Sequence, residues 1–292
     1  MPRPDDHGAI QQRDSARSFL RRARRNPLAL GGFAFLGLLI AVAVGAPVVV
    51  PYSPGAQDLA LRFAAPSALH PLGMDELGRD ILSRLVLGAR ISLILSLTVV
   101  LVSGTVGFLV GSIAGLAGGW LDDVVMRTID VLLSFPSILL AISLVAVLGP
   151  GLVNLLLALC LMGWVGYARL TRAQVLRIRE TEYVLSARAC GAQSDRILLH
   201  HLLPNVAGPL IVQATVGMAG VILSEAGLSF LGLGLPPPSP SWGSMLRSGS
   251  QHLLDAPHLV LYPGGAIMVV VLSFNFIGDF LRDYLDPRSP ET

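Results

Sequence analysis

No lysine occurs anywhere in the 292 residues; all 21 basic residues are arginine. Chemistry that needs a lysine amine is therefore excluded, including a Schiff base and the phosphate-gripping lysine of a P-loop. The chain cannot carry a Walker A nucleotide site of its own. Cysteine is scarce too: Cys160 lies in an apolar run and Cys190 in a polar stretch, so no disulfide framework is drawn and both read as ordinary small residues. There is no G-x-S-x-G motif, and no serine or glutamate in the apolar runs has a histidine at a compatible position. His200 and His201 are neighbours, so on a helix they point about 100° apart and do not close on one metal. Charge itself is sparse, at 14% of residues against 53% hydrophobic.

That balance belongs to an integral membrane protein, all-α in class, because a bilayer crossing needs about 20 apolar residues in a helix. Six spans are drawn, at about 28–50, 91–120, 129–148, 152–168, 206–233 and 259–280. The first ends at "GAPVVVPYSP" without a small-x-small cleavage context, so it is expected to stay as an anchor. An even number of spans puts both termini on one side. Arginines number seven in the N-terminal tail, one in residues 121–128, six in residues 169–205 and two in the C-terminal tail, against four in residues 51–90 and one in residues 234–258. The positive-inside rule then predicts cytoplasmic N- and C-termini. The net charge of +2 comes from these membrane-flanking arginines and points to no nucleic-acid partner.

Several features stand out along the spans. Gly107, Gly111, Gly115 and Gly119 recur at four-residue spacing, lining one helical face with hydrogen and allowing another helix, of this chain or of a partner, to approach closely. Pro136 and Pro263 are expected to kink their helices. In residues 70–93, "HPLGMDELGRDILSRLVLGARISL", apolar residues recur at helical spacing and Asp75–Arg79 and Asp80–Arg84 stand four apart, which predicts a short amphipathic helix. Residues 235–242, "LPPPSPSW", predict a rigid non-helical loop. Glu225, two-thirds along the fifth span, is the one carboxylate well inside the membrane; it lines a pathway or is held by local structure. Asp130 and Asp279 are expected at span ends, paired with Arg127 and Arg282. No two-halves repeat is visible, which argues against a secondary transporter built on inverted repeats.

Between the fourth and fifth spans lies a stretch of different character, "SARACGAQSDRILLHHLLPN", residues 186–205. Ser186, Ala187, Ala189, Gly191 and Ala192 alternate with an apolar set that includes Ile197 and Leu203. Gly191 predicts a break between two short helices, Ser194 a cap for the second with Asp195 in its first turn, and Pro204 a stop or a change of direction before the chain re-enters the membrane. A short helix pair with a small-residue face suits a groove on another protein.

The order of Ala187, Gly191 and Leu203–Pro204 resembles the cytoplasmic EAA loop of bacterial ABC importer permeases. "HPLGMDELGRDILSRLVLGARISL", "SEAGLSFLGLGLPPPSPSWGSML" and "GDFLRDYLDPR" are similar to the dipeptide and oligopeptide C-type branch, and the resemblance covers nearly the whole chain from about residue 20. Three positions depart from the loop pattern: Leu185 stands at its glutamate with Ser186 at its first alanine, and His201 stands where isoleucine is common.

The resemblance implies a six-helix permease of the type I importer fold in the bacterial plasma membrane. In that layout residues 1–27 are a cytoplasmic tail, 28–50 the first transmembrane helix, 51–90 an external segment, 91–285 the five-helix transporter domain with a coupling loop at 172–205, and 286–292 a C-terminal tail. Ser186, Ala187, Gly191, Ala192, Ile197, His201, Leu203 and Pro204 are the implied ATPase-coupling residues. Implied partners are a second homologous permease, two ATP-binding subunits, an external solute-binding protein and a short peptide as substrate. The chain itself would be non-catalytic and without cofactor, with ATP and magnesium on the partner subunits. The rival readings are a self-contained secondary transporter or channel using Glu225, and a nickel or glutathione importer of the same branch.

Overall fold

The computed structural model describes Phe19, residues 21–50 and residues 52–285. The arginine-rich tail as far as residue 18 and the C-terminal tail from residue 286 lie outside these described residues. Helix α1 (Pro27–Val44) begins where the Asn26 side chain accepts the Ala29 N–H at 3.0 Å and Pro27 supplies a first residue that needs no hydrogen bond of its own. A single turn, α2 (Ala46–Val49), follows. The long helix α3 (Ile81–Ala117) has 37 residues, hence a length of about 55 Å, so it extends well beyond the ~30 Å hydrocarbon layer.

Gly118 and Gly119, both with positive φ (64° and 57°), reverse the chain into α4 (Gly119–Leu133). The expected third span is not one straight helix. Pro136 disfavours helical backbone at the residue before it, and α4 meets α5 (Ser137–Leu148) at 82°. Helix α6 (Leu152–Ile178) continues ten residues past the expected boundary at 168, because its arginine-bearing end stays helical after the apolar run stops. Five helices of the described chain are long and apolar enough to cross a membrane, or six if the bent α4–α5 pair is one span.

After α6 come the short helices α7 (Glu182–Ala189) and α8 (Ser194–Ile197), and then a π-helical turn at Leu198–Leu202 that runs straight into α9 (Leu203–Phe230). Pro204 lies in the first turn of α9, within a helical run that begins at Leu198, so the chain does not stop there. Ser194 is the first residue of α8, not its cap. Helix α10 (Trp242–Ser250) and the last long helix α11 (His258–Leu285, with Pro263 inside it) complete the chain.

The glycine face packs within the chain. A Cβ on Gly107 or Gly111 would run into the backbone of α6 at Trp164 and Ala168, and one on Gly115 would lie 2.8 Å from Val175 Cγ1. Gly119 has nothing within 4 Å; it belongs to the turn and not to the packed face. Three glycines, not four, make the close approach.

The expected amphipathic helix over residues 70–93 does not form as a separate element. Gly73 and Gly78 adopt φ of +78° and +64°, which a right-handed helix excludes. Asp75 instead turns on itself, its Oδ1 accepting the N–H groups of Leu77 and Arg79 at 2.9 Å. Asp80 does not pair with Arg84. It caps α3 by accepting the Ser83 N–H at 2.7 Å and meets His70 Nδ1 at 2.9 Å. The helical periodicity seen from Ile81 onward is that of the first turns of α3.

Candidate functional site

Two ends of the bundle carry its polar structure. At one end, α7 finishes in a hydrogen-bonded reversal: Gly191 N–H donates to the Arg188 carbonyl at 2.9 Å and Ala192 N–H to the Ala187 carbonyl at 3.0 Å, with Gly191 at φ +83°. This is a Schellman cap, and it needs a left-handed residue at position 191. Beneath it, Val184, Ile197 and Leu202 are fully or almost fully buried against Val175, Ile178 and Val206. The α7–α8 unit is thus bonded through an apolar floor to the ends of α6 and α9. Its outer surface is open: Ser186, Ala189, Gly191 and Pro204 are exposed, and Tyr183, Leu185 and Leu199 expose about half of their surface. Ala187, Ala192 and His201 are half-buried. Ile197 faces the floor, away from any partner, whereas Leu185 and Tyr183, outside the expected set, face out.

The same end is braced by ion pairing. Arg172 of α6 grips Asp122 of α4 through two guanidinium nitrogens, and Arg179 Nη1 donates to the Gly115 carbonyl at 2.8 Å. The expected pairs Asp130–Arg127 and Asp279–Arg282 are not among the ion pairs of the described residues. A three-residue spacing on a helix places two charges near one another, but these side chains all extend into exposed space, where little holds a pair together.

Midway along the bundle, α3, α5, α6 and α9 line an open cavity of about 240 Å³ whose polar lining includes Ser103, Ser137, Tyr167, Gln213 and Ser224. The Ser103 hydroxyl is buried with no hydrogen-bond partner. Further along α9, Glu225 has no solvent exposure. Its Oε1 accepts the Ser229 hydroxyl at 2.7 Å and its Oε2 the Ser92 hydroxyl at 3.2 Å. Among the described residues neither an arginine nor a broken helix meets it. Ser229, one turn on from Glu225, was legible as a partner from spacing alone; Ser92, 133 positions away, was not.

At the opposite end, α10 is fixed by a capping box between Ser241 and Ser244. Trp242 is 1% exposed, and its indole N–H donates to the Leu85 carbonyl at 3.0 Å. The proline-rich stretch after α9 is non-helical, as expected. Among the described residues no three His, Cys, Asp or Glu side chains gather as a metal site.

A bundle of five to six apolar helices, with polar cavities between them and a tethered helix pair at one end, defines a membrane transport subunit. The family described as "Binding-protein-dependent transport system inner membrane component" matches residues 107–289, and the "N-terminal TM domain of oligopeptide transport permease C" matches residues 16–66. The chain belongs to this family of ABC transporter permeases, multi-pass inner-membrane subunits that are themselves non-catalytic. It is 44% identical over 272 residues to a dipeptide transport system permease protein of Alkalihalophilus pseudofirmus, covering 93% of this chain and 90% of that one. It is 42% identical over 278 residues to a di/tripeptide transport system permease protein of Pseudomonas aeruginosa, covering 93% and 92%. A glutathione transport system permease protein of Pectobacterium atrosepticum is 41% identical over 273 residues, covering 93% and 91%. A system of this kind requires ATPase and binding-protein partners.

Proposed function

We propose that this chain is one of two membrane subunits of an ATP-driven importer of short peptides, and that the α7–α8 unit is where separate ATPase subunits take hold. The observation that carries the proposal is the Schellman-capped helix pair at Gly191, exposed on its small-residue face and anchored on its apolar one. Such a unit passes force from a partner into the spans, because its floor is continuous with both α6 and α9. The arginine distribution supports placing this end, with both chain termini, in the cytoplasm. The opposite end then meets an external binding protein.

Closure of two ATPases on ATP would draw the paired α7–α8 units together and tilt the spans from inward-open to outward-open, a rigid-body change of the kind permeases undergo. The cavity at Ser103, Tyr167 and Gln213 is this chain's half of the pathway, completed by a second homologous permease. Glu225 enters the reading as a carboxylate one hydroxyl removed from the next cavity toward the outer end. The names of the relatives favour di- and tripeptides, with glutathione as the second substrate class.

The test is purification of the chain from mild detergent with mass-spectrometric identification of stoichiometric partners. A second permease and P-loop ATPases are expected, and Gly191→Val should lose the ATPases while keeping the permease. Recovery of the chain alone would sink the proposal and leave the self-contained transporter reading, tested by Glu225→Gln in liposomes under an ion gradient.

A further inference from the structure

The second cavity lies at the end that carries α10. Its volume is about 360 Å³, and its polar side chains are Arg79, Arg84 and Arg247 with Ser229, Ser239, Ser244 and Ser248. No aspartate or glutamate lines it. Three guanidinium groups without a carboxylate make a wall suited to an anion and to no cation; of the four hydroxyls, those of Ser229 and Ser244 already donate to Glu225 and to the Ser241 carbonyl, which leaves Ser239 and Ser248 to add to the donors.

The ion pairs around it leave one arginine over, and the nearest other carboxylate, Glu225, is taken up by Ser229 and Ser92. Asp75 and Glu76 stand behind the wall: Arg79 Nε meets Asp75 Oδ2 at 2.6 Å, Arg79 Nη2 meets Glu76 Oε1 at 2.7 Å, and Arg84 Nε lies 3.4 Å from Asp75 Oδ2. Two acids thus offset two arginines, and Arg247 has no ion pair among the described residues. Arg84 adds a second deficit. Its side chain is 6% exposed, its Nη1 donates to the Pro54 carbonyl at 3.1 Å, and its Nε is buried without a hydrogen-bond acceptor. An unmet buried donor on a charged group is costly to keep. Arg247, although exposed, is held at the cavity. Gly232 turns with φ +85°, and its bare backbone lets the guanidinium lie against it, in space that any Cβ would occupy.

We propose that this arginine-walled cavity binds the free carboxylate of a short peptide at the outer end of the permease. A planar carboxylate matches the guanidinium fork and accepts from two arginines at once, and the volume holds a peptide end with little to spare. The choice of a peptide as bearer rests on the importer reading above; the anion site rests on the cavity alone.

The test is equilibrium binding of radiolabelled dialanine and of its C-terminal amide to the full chain, co-purified with its partners in nanodiscs. The acid should bind at least about tenfold more tightly than the amide, and Arg247→Gln should erase that preference while leaving the melting temperature unchanged. On the unsubstituted chain, acetate should compete and acetamide should not. Equal binding of acid and amide overturns the proposal. So does an unchanged acid preference in Arg247→Gln accompanied by weaker docking of the external binding protein, since the cavity would then serve an acidic side chain of that protein. A complex that binds dialanine with the expected preference but imports none would support the site and overturn the importer reading.

Discussion

The Trp242 indole N–H and the Leu85 carbonyl, 157 positions apart in sequence, meet at 3.0 Å. This bond sews α10 to the first turns of α3, and Gly88 gives the ring its space, an added Cβ there coming within 2.9 Å of Trp242 Cδ1. Trp242→Ala removes a fully buried indole and should cost about 3–5 kcal/mol, read as a lower melting temperature in detergent. Trp242→Phe keeps most of the volume, loses the bond and should cost visibly less. Equal losses would mean that the lost hydrogen bond, common to both variants, accounts for the whole effect and the ring volume for none of it.

The glycine face of α3 gives a position-specific expectation. At Gly111 an added Cβ would collide with the Ala168 carbonyl oxygen, whereas at Gly104 the nearest atom, Tyr167 Cε1, is 3.8 Å away. Gly111→Ala should therefore destabilise by about 1–3 kcal/mol, and Gly104→Ala should be neutral or stabilising by up to about 1 kcal/mol. Thermal melts of the two variants side by side check the register of the α3–α6 contact.

Position 191 is decided by backbone, not by side-chain contact, since nothing lies within 4 Å of an added Cβ there. Asparagine tolerates the left-handed conformation and β-branched residues do not. Gly191→Asn should keep ATPase stimulation by substrate, and Gly191→Val should abolish it with little change in expression. Equal behaviour of the two would remove the Schellman cap from the coupling role.

The Asp122–Arg172 pair is two-pronged but partly open to solvent, with side-chain exposures of 11% and 29%. Asp122→Asn should cost about 1 kcal/mol, the upper end for such pairs. The exchange Asp122→Arg with Arg172→Asp should recover part of that loss, measured as a double-mutant cycle.

Glu225 tests the polar interior. Glu225→Gln can keep a hydrogen bond to both serines, whereas Glu225→Leu leaves the Ser92 and Ser229 hydroxyls unpaired in a closed space. The leucine variant should be the less stable by about 1–3 kcal/mol for each stranded group. Should both variants melt alike, the serines have other partners.

Features within one turn of the chain were the ones legible in the sequence. Gly191 as a helix break, Pro136 as an interruption and the spacing of Gly107, Gly111 and Gly115 all follow from backbone rules that act locally. The segment at residues 73–80 was misread for a physical reason: its i,i+4 charges fit a helix, but Gly73 and Gly78 take conformations that no helix allows, and Asp75 serves a turn with the same side chain. Gly119 fitted the glycine period and yet belongs to the turn beyond it. The arginine-walled cavity was illegible because its three guanidinium groups come from α10, the head of α3 and the loop before it, and no spacing rule connects residue 247 to residue 84.

The tight seam between α3 and α6 has a consequence for motion. Two rods touching backbone to backbone at Gly107 and Gly111, with Val175 seated on Gly115, cannot slide without lifting apart, so they travel as one beam. On the coupling role proposed for the α7–α8 unit, which hangs from the end of α6, a push there would be felt at the far head of α3 without a relay of side-chain rearrangements.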